Sequence, residues 1–153
     1  MSRLTQGVKR LLVILFAAWL LYQCWLFAWV GWWKWVNPVQ TSFMSLRLRE
    51  LRLGDPNAEL KKTWVNYERI SDHLKRAIIA AEDAKFVDHD GFDWQGIQLA
   101  YEKNQKKGRF VAGGSTISQQ LAKNLFLSPG RTPWRKAQEA VVTLMLEACW
   151  DKE

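Results

Sequence analysis

The sequence predicts a mainly α protein: a transmembrane helix at the N-terminus, then an all-helical outer domain. Three observations predict it. Residues 11–33 are 23 consecutive positions without a charge. Further along, apolar residues recur at helical spacing, as in Leu74, Ala77, Ile78 and Ala81. Helix start and stop residues bracket such segments, with Pro133 placed for a first helical position and Gly108 for a C-terminal stop.

The uncharged run comes first. At about 1.5 Å per residue it reaches roughly 35 Å, enough to cross a hydrocarbon core of about 30 Å with some tilt. A cleaved signal peptide would have a shorter apolar region, ending in small residues. Here Trp29, Trp32, Trp33 and Trp35 crowd that place, and tryptophan suits a membrane–water interface. The run therefore reads as an uncleaved anchor. Arg3, Lys9 and Arg10 precede it and Lys34 alone follows closely, so the positive-inside rule keeps residues 1–10 in the cytoplasm. Everything after Asn37-Pro38 lies outside, which in a bacterium with two membranes is the periplasm.

Residues 34–63 read as a juxtamembrane linker, opened by Pro38. Within it Leu46 to Leu53 alternates apolar and basic residues, as in a short strand or an amphipathic turn on the membrane surface. Gly54-Asp55-Pro56-Asn57 is a turn. Residues 64–153 form the outer domain. Ser71 or Asp72 caps a helix over about 74–87, and Gly91 marks the exit. A second helix covers 94–107, with Ile97, Leu99, Ala100 and Tyr101 inward. A third starts at Ser115 or Thr116, where Thr116 to Gln119 has the form of a capping box, and Ser128-Pro129-Gly130 breaks it. A fourth opens at Thr132-Pro133 and runs to about Trp150. The chain ends without a stop signal, on an apolar helix face that wants a partner. The domain is expected to be incomplete, and the 153 residues alone to be unstable or inactive.

Charge narrows the function. The chain carries +7, but four of its 22 basic residues flank the anchor, leaving 18 basic against 15 acidic groups outside. That small excess is a weak case for nucleic acid and suits an anionic membrane surface or a phosphate-bearing lipid. Cys24 lies in the anchor and Cys149 in the last helix, so no disulfide framework is expected. His73 and His89 lack a second ligand at zinc-helix spacing.

Three clusters can carry chemistry. Glu82 and Asp83 end an apolar helix face, where a partly desolvated carboxylate would make a better base; ordinary solvated acids fit the pattern too. Gly113-Gly114 precede a helix start, so backbone can approach a ligand and N–H groups can meet an anion, with Lys123 two turns later. The lysine does not follow the second glycine, which argues against a nucleotide loop. A flexible turn before a capped helix fits equally well. Arg135, Glu139, Thr143 and Glu147 share one helix face, either lining a cleft or making solvated ion pairs.

Together these clusters resemble the family 51 glycosyltransferases, the peptidoglycan polymerases. Glu82, Asp83, Phe86, His89, Gly91 and Asp93 match the family's first motif. Gly113 to Asn124 match its second, with Ser118 where threonine is usual, and Arg135, Lys136 and Glu139 match its third. A single anchor and short linker look like the monofunctional biosynthetic type from Gram-negative bacteria.

The resemblance implies a lysozyme-like helical glycosyltransferase fold in the bacterial inner membrane. It implies lipid II and the growing glycan chain as substrates, inverting transfer of MurNAc C1 to the GlcNAc 4-hydroxyl, and polyprenyl diphosphate as leaving group. By position, Glu82 matches the general base and Glu139 the second essential carboxylate, with Asp83 and His89 supporting. Lys123, Arg131 and Arg135 match diphosphate-binding positions, and Ser115 and Gln119 match positions that contact the donor-site ligand. The family also implies a divalent cation, Mg²⁺ or Mn²⁺, which no ligand pattern here requires. Two rivals remain: a glycosidase of lysozyme or lytic type cleaving the same polymer, and a membrane-tethered protein binding lipid II or divisome proteins without catalysis.

Overall fold

The computed structural model describes residues 3–130 and 132–152, with side chains from residue 6 onward. The chain divides at Asn37-Pro38 into two compact units.

The first unit is one helix, α1, Arg3–Trp33. Its portion Gln6–Trp33 is long and apolar enough to cross a membrane. The helix thus begins about two turns before the uncharged run. Aromatic rings one turn apart meet along it: Trp25 packs edge-on to Trp29, and Trp29 edge-on to Trp33.

The second unit is helical, with no strand among the described residues. It opens with α2, Ser42–Gly54, which corrects the reading of residues 46–53 as a strand or turn. Two causes override the alternating pattern. Thr41 caps the helix by accepting the Met44 N–H at 3.2 Å, and Leu and Arg are both good helix formers. The helix then packs on α5, which an isolated turn could not do. Asp55 ends it, its N–H returning to the Leu51 carbonyl, and the Asp55 carboxylate accepts the Asn57 N–H to form the expected turn.

Helix α3, Asp72–Glu82, stops five residues short of the expected end. A short 3₁₀ turn, Phe86–Asp88, follows. Helix α4, Trp94–Lys107, has the expected limits because both ends are well capped. Asp93 accepts the Gly96 N–H at 2.9 Å, and Gly108 takes the left-handed conformation. Its inward face is narrower than expected: Ala100 is buried, whereas Leu99 and Tyr101 are exposed.

Helices α5, Ile117–Phe126, and α6, Pro133–Cys149, pack on each other and form the centre of this unit. Ala122, Leu125, Val142 and Leu146 are buried there. Each valine- or leucine-sized side chain so buried contributes about 1.5–3 kcal/mol. Both starts follow the sequence signals. Thr116 and Gln119 make a full capping box, and Thr132 caps α6 with Pro133 in its first turn.

Candidate active site

The turn after α3 organises the site. Asp83, buried at the C-terminus of α3, accepts from His89 Nε2 at 3.0 and 3.1 Å and from the Ile117 N–H at 3.0 Å. The carboxylate therefore sits on the N-terminal end of α5, where the helix dipole favours negative charge. This long-range bond explains why α3 ends early: continuing the helix would carry Asp83 away from Ile117.

That bond also corrects the expected anion cradle. The Ile117 N–H is taken by Asp83, the Thr116 N–H by the Gln119 side chain, and the Gln119 N–H by the Thr116 hydroxyl. These donors are satisfied internally. Gly114 also has a packing role; a Cβ there would come within 2.8 Å of the Ile97 Cα, so the glycine lets the loop lie against α4. Asn104 pins that loop, accepting the N–H groups of Val111 and Ala112 and donating to the Ala112 carbonyl.

Glu82, one residue before Asp83, is exposed. The expected desolvation by an apolar face does not occur, because Leu74 and Ile78 on α3 are themselves about half exposed. Instead the Glu82 carboxylate is held by one bond, Gln120 Nε2 donating to Oε2 at 2.9 Å. It lines a cavity of about 230 Å³ together with Asp83, Lys85, Asp93, the two glycines and Ser115.

A second cavity, of about 320 Å³, lies among α2, α5, the 127–129 loop and α6. Ser115 lines both cavities. Gln120, which holds Glu82, lines this one. Its cations are Lys123, Arg135 and Lys136, and Glu139 is its one carboxylate among the described residues. Glu139 is buried and ion-paired twice, to Arg135 Nη1 at 2.9 Å and to Lys136 Nζ. Lys136 also reaches the Ser115 hydroxyl at 3.4 Å.

The structure thus brings Ser115, Gln119, Lys123, Arg135 and Glu139 to one cavity and Glu82 and Asp83 to its neighbour. Gln119 spends its side-chain oxygen on the capping box. His89 Nε2 is bonded to the Asp83 carboxylate. Arg131 lies outside the described residues. Sequence reasoning missed Gln120 as the holder of Glu82. It also missed Phe43 and Leu46, which α2 brings to the cation-lined cavity. Neither Phe43 nor Leu46 carries chemistry-bearing atoms, so only the three-dimensional contact reveals them.

No dedicated protein cage for a divalent ion is seen among the described residues, where no three carboxylate, histidine or cysteine groups converge, and Glu139 would be the carboxylate to share such an ion with a phosphate-bearing ligand.

Residues 49–153 match the family model described as Transglycosylase. The chain is 65% identical over its whole length to a biosynthetic peptidoglycan transglycosylase of Dechloromonas aromatica (strain RCB), of which it covers 66%. Proteins of the same description from Aromatoleum aromaticum and Azoarcus sp. (strain BH72) are 60% and 62% identical over 99% of the chain, which again covers 66% of each. The chain thus spans 66% of the length of these curated relatives.

Proposed function

Since the chain belongs to the transglycosylase family, we propose that it is a peptidoglycan glycosyltransferase that polymerises lipid II at the outer face of the bacterial inner membrane. One observation carries the reading. Glu82, the accessible carboxylate of the first cavity, is tethered by Gln120 to a second cavity lined by three cations, and Ser115 is common to both.

That arrangement suits an inverting displacement. The acceptor GlcNAc occupies the Glu82 cavity and the diphosphate of the growing chain occupies the other. The 4-hydroxyl oxygen attacks MurNAc C1 as its proton passes to the Glu82 carboxylate. The C1–O bond breaks and its electron pair leaves with the polyprenyl diphosphate. A positioned base contributes roughly 10²–10⁴-fold. Lys123, Arg135 and Lys136 stabilise charge where it develops on the leaving group. Glu139 holds the last two in place; truncating it would free them to wander. Helix α1 would anchor the enzyme beside its lipid-linked substrate, with the basic N-terminal flank cytoplasmic and residues after Asn37 periplasmic.

The test uses the full-length protein in detergent, given fluorescent lipid II in one reaction and isolated sacculi in another. Glycan polymer and released polyprenyl diphosphate are expected from the first, and no soluble muropeptides from the second. Muropeptide release without polymer would overturn the transferase reading in favour of a glycosidase. Binding of lipid II without either product would favour a tethering protein.

A further inference from the structure

Lys152 lies just beyond α6, and only 20% of its side chain is exposed. Its ammonium donates to the Phe86 carbonyl at 2.6 Å and to the His89 carbonyl. It also stands 5.0 Å over the Phe86 ring. Glu147 supplies the countercharge at 3.4 Å and is itself held by the Ser118 hydroxyl of α5. A desolvated ammonium is costly unless paired and hydrogen-bonded. Here the pairing is concentrated on one short segment, the 3₁₀ turn Phe86–Asp88 and the residue after it.

Within that segment the Phe86 and Asp88 N–H groups bond to the Asp83 and Lys85 carbonyls, and the Lys152 ammonium ties it to the end of α6. It is a single turn between α3 and α4, and His89 follows it directly. The His89 ring meets the Phe86 ring edge-on and donates Nε2–H to both oxygens of Asp83. Asp83 in turn binds the Ile117 N–H and is covalently next to Glu82. A line of contacts therefore runs from α6 through Lys152 and the turn to Asp83, and ends one residue from the accessible carboxylate.

We infer that Lys152 is a positioning residue for glycosyl transfer: by clamping the Phe86 and His89 carbonyls it holds His89 against Asp83 and so fixes where Glu82 stands. The inference rests on the reading of Glu82 as the base. Lys152 lines neither cavity, so it acts through the turn and not on substrate.

The test is Lys152→Met, which keeps the apolar stem and removes every donor, measured beside Lys152→Arg and Glu82→Gln in the full-length protein. Lipid II polymerisation, lipid II binding and thermal unfolding are read for each. The clamp predicts that Lys152→Met lowers kcat about 10²-fold, the cost of a misplacement of about 1 Å. KM stays within about 2-fold, because ground-state binding is untouched. Lys152→Arg, which keeps the charge and N–H donors in a planar fork, recovers at least about a tenth of the wild-type rate. A parallel fall of kcat, binding and thermal stability makes Lys152 a staple of the fold and overturns the inference. So does an unchanged kcat while Glu82→Gln is inactive. Wild-type rates in Glu82→Gln instead overturn the reading of the base. If Lys152→Met does not fold, the same split is read on Glu147→Gln, which can keep the Ser118 bond and withdraws only the countercharge; an unchanged kcat there likewise overturns the clamp.

Discussion

Gly91 is where the first motif meets α6, and substituting it tests the packing account most sharply. Its φ is +82°, a left-handed conformation that costs a residue with a Cβ about 1–2 kcal/mol. Space is the second cost. A Cβ would lie 2.8 Å from the Thr143 Cγ2 and 3.0 Å from the Glu147 Cγ. Thr143 is fully buried, and Glu147 is held by Ser118 and Lys152, so neither can step aside freely. Overpacking of this kind costs about 1–3 kcal/mol. Gly91→Ala should therefore destabilise the domain by about 2–5 kcal/mol. At about 4 °C per kcal/mol for a domain of this size, the melting temperature should fall by roughly 8–20 °C. The assay is thermal unfolding of the full-length protein in detergent, followed by circular dichroism. The two costs separate in a double-mutant cycle with Thr143→Ser, which removes the clashing methyl and keeps the hydroxyl that donates to the Glu139 carbonyl. In that background Gly91→Ala should cost less than it does alone, with the conformational part persisting. A shift of under about 2 °C for Gly91→Ala alone, well below the calculated range, would refute the reasoning.

Two further substitutions test the site's scaffold. Thr116→Ala removes the cap on α5 and the bond its hydroxyl donates to the Gly91 carbonyl at 2.6 Å, so it should cost about 2–3 kcal/mol in denaturant unfolding, while Thr116→Ser keeps both bonds and should cost under about 1 kcal/mol. Glu139→Gln withdraws the countercharge from Arg135 and Lys136. It should lower kcat for lipid II polymerisation by at least about 10-fold, with a stability loss of about 1–3 kcal/mol in thermal unfolding, since the half-exposed Lys136 can rehydrate.

How much of this was legible in the sequence depended on how local each determinant is. Helix α4 was readable to the residue because Asp93 and Gly108, which set its ends, adjoin it. The capping box of α5 and the proline start of α6 were readable for the same reason. Where a distant partner decides, sequence reading failed. Helix α3 runs short because Asp83 answers to Ile117, 34 residues away. The alternating residues 46–53 fold as a helix whose local signals, the Thr41 cap and good helix formers, were outweighed in the reading by the alternation, while its packing on α5 is long-range. The paired glycines drew attention to the right loop, but long-range partners set its structure: Gly114 makes room for Ile97, and the Ile117 N–H serves Asp83.

The site divides in the same way. The residue types at Glu82, Lys123, Arg135 and Glu139 pointed to a base and to anion-binding cations, and the fold gathers them around two adjoining cavities. The bonds that would make those groups precise join residues far apart in the chain. Gln120 reaches Glu82 across 38 positions, and Lys152 reaches the Phe86 carbonyl across 66. Spacing within a motif carries no trace of either.

The central claim is that Glu82 takes the proton of the attacking hydroxyl. The most direct measurement compares wild type and Glu82→Gln for two quantities on the same preparation, lipid II binding and single-turnover glycan bond formation. Glutamine can still accept the Gln120 bond, so the side chain keeps its place while losing its basicity. The account predicts binding within about 2-fold of wild type and bond formation slowed by about 10²–10⁴-fold. Bond formation at the wild-type rate, or a loss confined to binding, would contradict it.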